Sequence, residues 1–147
     1  MWNLLANAAS TWAMVGLIWL IQLVHYPLMV HVNQGFQAFH GAHSSRIALI
    51  VGPLMGIEAL TSLVLTARRP EGIPDWVAWC GVILVGVSWA ATALFSIPMH
   101  MRLSSGTDQK ALDMLVATNW IRTVAWTAHG LLALWMLKLA FDQAQAT

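Results

Sequence analysis

"IALIVGPLMGIEALTSLVLTA", residues 47–67, is an apolar run interrupted by one charged residue, Glu58. A helix needs about 20 mainly apolar residues to cross the hydrocarbon core of a bilayer, and this run has that length. The whole chain has the same character, because only 9% of its 147 residues are charged, whereas soluble domains carry about 25%. The sequence therefore predicts an integral membrane protein. Its net charge of +1 gives no basic patch for nucleic acid.

Three further apolar runs lie outside this one, at residues 11–32, 76–99 and 112–140. Short polar segments separate the runs: NQG at 33–35, RRPEGIPD at 68–75 and SSGTDQK at 104–110. Because irregular backbone is not tolerated in lipid, each run is predicted to be a helix, and each short segment a connection between neighbouring helices. We expect an all-α fold, an antiparallel four-helix bundle that forms a single domain over residues 1–147.

The stretch FQAFHGAHSSR, residues 36–46, continues the helical pattern of the run that follows it. One face of a continuous helix would carry Phe36, His40, His43, Ile47, Ile50, Leu54 and Glu58. We therefore predict that the second helix begins near Phe36, before the membrane core, and turns both histidines toward the bundle.

Counting outward from the predicted turns places several histidines at one depth. In an antiparallel bundle His25, His43 and His100 share a level, His40 lies one helical turn away, and His31 lies nearer the turn. Imidazole binds Fe, Cu and Zn, so the four residues other than His31 predict a transition-metal site. A haem with His25 and His43, or His43 and His100, as axial ligands is the alternative. A third interpretation is that these histidines only bond to interfacial water.

A second polar layer is predicted deeper in the bundle. Glu58 is the only acid and Arg122 the only base well inside an apolar run, and His129 falls at a similar depth. Ionisable side chains in membrane helices usually pair or mark functional sites. We expect an ion pair between Glu58 and Arg122. As a function, these two and His129 would be catalytic residues that move protons or orient a substrate. The predicted substrate-binding residues beside them are Asn119, Trp120 and Trp126.

Five segments together resemble a group of small, uncharacterised bacterial four-helix membrane proteins. They are VHYPL (24–28), FQAFHGAHSSRI (36–47), GPLMGIE (52–58), SIPMH (96–100) and NWIRTVAW (119–126). The resemblance extends over most of the chain and implies the same four-helix membrane fold. More distantly, the run NWIR, with Asn119, Trp120 and Arg122, is similar to the anthrone-oxygenase-like small membrane proteins. That similarity implies a flat hydrophobic substrate and assigns no catalytic residue.

These patterns favour a membrane metalloprotein, an oxidoreductase or oxygenase that acts on a hydrophobic or lipid-soluble substrate. The other hypotheses are a haem-binding membrane electron carrier and a non-catalytic scaffold or small transporter. The expected partners are membrane lipid, a hydrophobic small molecule and further copies of the chain, but not nucleic acid. We expect the bacterial inner membrane as the location. The adjacent pair Arg68 and Arg69 favours both termini in the cytoplasm by the positive-inside rule.

Overall fold

The structure, a computed structural model, describes residues 1–32 and 34–146. This part of the chain contains four long helices and no strand. They are α1 (Trp2–Met29), α2 (Phe36–Ala67), α3 (Asp75–Leu103) and α4 (Gln109–Ala146). Each of them is long and apolar enough to cross a membrane. The predicted all-α class and the four membrane helices are therefore confirmed.

The start of α2 at Phe36 agrees with the sequence pattern, but α1 begins at Trp2, well before the predicted start at residue 11. The polar residues at the start of α1 find partners inside the bundle instead of in water. Asn7 is fully buried and donates to Thr61 Oγ1 at 3.0 Å and to Ser62 Oγ at 2.9 Å. Residues 2–10 thus belong to the first helix and pack against α2. The other two helices also extend a few residues beyond the predicted runs.

Each connection between helices contains a glycine with a left-handed backbone. The φ angles of Gly35, Gly72 and Gly106 are 71°, 84° and 144°. Glycine adopts such angles without the steric cost that a Cβ imposes. All three lie in the segments that the sequence predicted as turns. At Gly72 an added Cβ would also lie 3.0 Å from the Cβ of Gln143 in α4, so this loop packs closely on the last helix.

Helices α1 and α3 each contain a short π-helical segment just before a proline. Ile21–His25 precedes Pro27, and Thr92–Ser96 precedes Pro98. In both helices the first residue after the segment donates its N–H to the carbonyl five residues back. Because a proline ring clashes with the carbonyl four residues back, the wider turn accommodates it. The extra residue also changes which of the following side chains face the bundle. Pro53 lies inside α2 without such a segment.

The inward face of α2 follows the prediction except at Ile50, which is 52% exposed. Met55 is buried instead, and Leu54 is half-buried. A helix has 3.6 residues per turn. A face predicted by repeated steps of three and four residues therefore drifts around the helix axis over several turns. Phe36, His40 and Glu58 are buried as predicted.

Contacts between α1 and α2 run in opposite chain order, since Asn3 bonds to Thr61 and His25 stacks on His43. The closest packing of α4 is against α1 and α3.

The separation of α2 and α3 changes along the bundle. α2 contacts α3 mainly along Asp75–Ala91 and only slightly along Ile97–Leu103. The two helices therefore diverge toward the end of the bundle that carries the histidines. This divergence makes room for the cavity described below.

Candidate functional site in the bundle

The four histidines predicted to hold a metal lie together where α1, α2 and α3 meet. The rings of His25 and His43 stack with their centroids 4.0 Å apart. The centroids of His43 and His100 are 6.1 Å apart, and His40 Nε2 lies 3.0 Å from His100 Nδ1. His31, which the sequence placed nearer the turn, is exposed. The depth argument from the sequence thus grouped the correct residues.

A hydrogen-bonded chain joins this cluster to the middle of the bundle. Arg122 Nη2 donates to Tyr26 Oη at 3.3 Å, and Tyr26 Oη lies 3.1 Å from His100 Nε2. A guanidinium only donates, and the Tyr26 hydroxyl that accepts from it is free to donate its own proton to His100 Nε2. When Tyr26 donates to His100, the His100 ring carries its proton on Nδ1 and donates it to His40 Nε2. In that arrangement every bond in the chain points from Arg122 toward His40, and both histidines are Nδ1–H tautomers.

These bonds bear directly on the predicted metal site. Both ring nitrogens of His100 take part in hydrogen bonds, and so does Nε2 of His40. A metal ligand needs a free nitrogen lone pair directed at the ion, so this arrangement does not fit a shared Fe, Cu or Zn site. Within residues 1–32 and 34–146, no group of three or more His, Cys, Asp or Glu side chains is placed to hold a metal ion. The four-histidine site stays a prediction that requires His100 to leave Tyr26 or His40.

The haem alternative meets a related difficulty. The stacked rings of His25 and His43 leave no space for a porphyrin between them. The rings of His43 and His100 are farther apart, but the nitrogens of His100 are held by Tyr26 and His40. Neither predicted pair of axial ligands fits the observed arrangement.

A cavity of about 430 Å³ lies among the four helices at the end where α2 and α3 diverge. Its volume falls in the range of roughly 300–1,000 Å³ that small-molecule sites occupy. The polar chain Arg122–Tyr26–His100–His40 lines this cavity, and most of the remaining wall is apolar. Ala48 of α2 and Ile97 of α3 also line it and are exposed on the outer surface of the bundle. Further apolar lining comes from Met14, Leu17, Ile18, Ile21, Ile47 and Val51.

The predicted ion pair between Glu58 and Arg122 is wrong. Glu58 Oε1 accepts from His129 Nδ1 at 2.8 Å, and Glu58 Oε2 accepts from Trp126 Nε1 at 2.8 Å. Arg122 instead donates to Asn119 Oδ1 and Tyr26 Oη. The indole of Trp126 lies between the two charges, because the Arg122 guanidinium sits over its ring at 5.9 Å from the centroid. The depth estimated from the sequence gave the level of each residue along the bundle, but not the direction in which its side chain points from the helix axis.

The three residues predicted as catalytic are consequently divided between two sites. Arg122 lines the cavity, whereas Glu58 and His129 form a separate, fully buried pair behind Trp126. The Nδ1–H of His129 is committed to Glu58, and His129 Nε2 has no hydrogen-bond partner in the described chain. This pair links α2 to α4 in the middle of the bundle.

Three residues of the polar network were missed by the sequence interpretation. Asn119 Nδ2 donates to Gln22 Oε1 at 2.7 Å, and Arg122 Nη1 donates to Thr92 Oγ1 at 3.4 Å. Tyr26 is the third, and it connects Arg122 to the histidines. Gln22 was a signal in the sequence, because it is the one amide inside the first apolar run. The hydroxyls of Tyr26 and Thr92 gave no such signal, since Tyr is enriched at membrane interfaces and Thr is ordinary between packed membrane helices.

The predicted substrate-binding residues have different positions. Trp126 lines the cavity and Asn119 supports Arg122 from behind. Trp120 is 42% exposed and packs edge-on against Trp19, so it lies outside the cavity. It follows Asn119 directly, and one residue turns the helix by about 100°, which carries its side chain to the outer face.

Comparison with protein-family models, with curated proteins and with solved structures finds no match to this chain. The functional argument therefore rests on the geometry of the cavity and its polar wall.

Proposed function

We propose that this protein is an integral membrane enzyme that binds a lipid-soluble substrate in the cavity and exchanges a proton with the substrate's polar group. One observation carries the proposal: the hydrogen-bonded chain Arg122–Tyr26–His100–His40 forms the polar wall of an otherwise mostly apolar cavity. An apolar pocket with a few convergent polar groups is the usual form of a ligand site. The predicted hydrophobic substrate fits such a pocket.

We propose that Tyr26 donates to His100 and His100 to His40, and this direction of the chain specifies the proton transfer. A substrate proton would pass to Tyr26 Oη as the Tyr26 proton moves to His100 Nε2. The Nδ1 proton of His100 then moves to His40 Nε2, which leaves His40 doubly protonated. The chain therefore acts as a base toward the substrate, and Arg122 stabilises the negative charge that develops. Positioned acid–base groups contribute about 10²–10⁴-fold to a reaction rate.

We retain oxidoreductase or oxygenase chemistry as the proposed overall reaction, with substrate deprotonation as the step that these residues supply. The sequence similarity of NWIR to proteins that oxygenate flat hydrophobic molecules supports the same class of substrate.

Two glycines on α2 provide a matched test of the binding site. Gly41 lines the cavity, Gly56 does not, and a Cβ added at either position would meet no atom within 4 Å. We expect the purified wild-type protein and Gly56→Leu to retain a lipid-soluble small molecule that solvent extraction and mass spectrometry identify. Gly41→Leu should lose it. Equal retention by the two variants would place the molecule outside the cavity and contradict the proposal.

The proton chain is tested with the extracted molecule as substrate. Tyr26→Phe removes the hydroxyl between Arg122 and His100 but leaves the cavity nearly unchanged in volume. We expect this variant to bind the molecule and to convert it about 10²-fold more slowly or worse. Full activity of Tyr26→Phe would exclude the chain as the proton acceptor.

We also propose the bacterial inner membrane as the location, with both termini in the cytoplasm. The support is the pair Arg68 and Arg69 in the loop between α2 and α3. Fusing a reporter that is active only in the periplasm to the C-terminus should give no signal, and a periplasmic signal would reverse the orientation.

A further inference from the structure

Arg122 is a buried positive charge surrounded by neutral groups. Its side chain is only 6% exposed. Its acceptors are the Asn119 amide, the Tyr26 hydroxyl and the Thr92 hydroxyl, and Trp126 contributes a ring face. Of the five guanidinium N–H groups, one on Nη1 has no acceptor in the described residues. A charge this deep in an apolar bundle ordinarily has a partner of opposite sign.

Among residues 1–32 and 34–146, no carboxylate supplies that partner. Glu58 is the only acid well inside one of the four apolar runs, and its two oxygens accept from His129 and Trp126. Two of the other acids form ion pairs elsewhere, Asp75 with Arg69 and Asp142 with Lys138. The remaining acids lie in loops or near helix ends: Glu71, Asp108 and Asp113.

We infer that the natural ligand of the cavity is a lipophilic anion whose charged head pairs with Arg122. This inference rests on the proposed function, since it names the class of molecule that the same cavity takes. Arg122 lines the cavity, so a carboxylate or ionised hydroxyl inside it, the form that remains once the proposed chain has taken the proton, can accept from the spare N–H. Ser44 lines the cavity as well, and its buried hydroxyl has no hydrogen-bond partner in the described chain.

The shape of the cavity sets the orientation of such a ligand. Arg122 and Trp126 line it together with Met14, whereas the exposed residues Ala48, Ile97 and Met101 line it where α2 and α3 diverge. The ligand therefore inserts its charged head toward Arg122, and its apolar tail extends between α2 and α3 toward the lipid. A free amphiphile such as a long-chain carboxylate has this form.

The test compares dodecanoic acid with dodecanol, which have the same chain and differ in the charge of the head. Binding of each radiolabelled probe to the full-length protein is measured by equilibrium dialysis in micelles, at a pH that ionises the acid. The Gly41→Leu protein serves as the blank for partition into the micelle. We expect the wild type to bind dodecanoate about tenfold to a hundredfold more tightly than dodecanol, the range for one hydrogen-bonded charge. Arg122→Gln should bind the two probes equally.

Each outcome decides a separate point. Equal wild-type binding of both probes, blocked by Gly41→Leu, keeps the proposed function and overturns the anionic ligand. If neither dodecanoate nor dodecanol binds above the Gly41→Leu blank, both the proposed function and the anionic ligand are overturned. The comparison within the wild type does not depend on any variant folding. Arg122→Lys adds an independent check, since it keeps the charge and should preserve part of the preference for dodecanoate.

Discussion

The indole nitrogen of Trp126 donates a 2.8 Å hydrogen bond to Glu58 Oε2 in the middle of the bundle. The opposite charge, Arg122, lies over the ring of the same indole. An indole N–H donates but cannot accept, so Trp126 does not pass protons between the two. Glu58 and His129 thus form a structural link between α2 and α4, whereas Arg122 belongs to the cavity.

Replacing Trp126 with Phe should lower the free energy of unfolding, because the buried Glu58 carboxylate loses a hydrogen-bond donor. The change keeps an aromatic ring but removes one of the two donors to the buried Glu58. A buried charged group that loses a hydrogen bond costs about 1–3 kcal/mol. Chemical unfolding in mixed micelles measures this loss. Trp120→Phe is the control, because Trp120 is 42% exposed, and it should change stability by less than about 0.5 kcal/mol. Equal effects of the two substitutions would argue against the Glu58 bond.

A pair of double-mutant cycles should separate the two polar sites. Glu58→Gln combined with His129→Asn should be non-additive, since the two side chains bond directly at 2.8 Å. Coupling between contacting residues is about 0.5–3 kcal/mol. Glu58→Gln combined with Arg122→Gln should show a smaller coupling, because Trp126 separates them. The measurement is again unfolding in mixed micelles. A larger coupling of Glu58 to Arg122 than to His129 would restore the ion pair that the sequence predicted.

The sequence predicted the fold well because membrane helices follow from composition and length. The four runs, the turn glycines and the start of α2 at Phe36 all depend on local patterns. The depth of a residue in the membrane also depends only on its distance along the chain from the nearest turn, since each residue in a helix rises by a fixed distance. For this reason the levels of His25, His43 and His100 came out together.

The pairing of polar side chains could not be predicted in the same way. It depends on the rotation of each helix about its axis, and the two π-helical segments change that rotation within α1 and α3. Glu58 and Arg122 were placed at nearby levels, yet the bulk of Trp126 stands between them. The partners of Asn7 could not be predicted from local sequence either, because Thr61 and Ser62 lie in a different helix.

The histidine tautomers give a direct spectroscopic prediction. In the wild type, ¹⁵N NMR of labelled histidine should show the Nδ1–H form for both His100 and His40. Tyr26→Phe removes the donor to His100 Nε2, and the His100 signal should then shift toward a mixture of tautomers. His31, which is exposed, provides the reference signal for an unconstrained ring. A dominant Nε2–H form of His100 in the wild type would reverse the direction of the chain.

Metal analysis tests the original four-histidine prediction. Since His100 is held by Tyr26 and His40, we expect alanine substitutions at His43, His100 and His31 to leave the metal content of the purified protein equal. The measurement is bound Fe, Cu and Zn per chain at equal expression. Stoichiometric metal that is lost from the His43 and His100 variants but kept in His31→Ala would show that the cluster rearranges to bind an ion.

Two glycines of α3 test how tightly the buried pair of Glu58 and His129 is packed. A Cβ added at Gly81 would lie 3.3 Å from His129 Nε2, whereas one added at Gly86 would meet no atom within 4 Å. Alanine stabilises a helix relative to glycine by up to about 1 kcal/mol, so Gly86→Ala should raise the stability by roughly that amount. Gly81→Ala gains the same helical preference, but its methyl group pushes the His129 ring and strains the 2.8 Å bond to Glu58. We therefore expect Gly81→Ala to be less stable than Gly86→Ala by about 1 kcal/mol or more in mixed-micelle unfolding. Equal stabilisation by both substitutions would mean that the His129 ring moves away from Gly81 freely, and that its bond to Glu58 does not hold it in place.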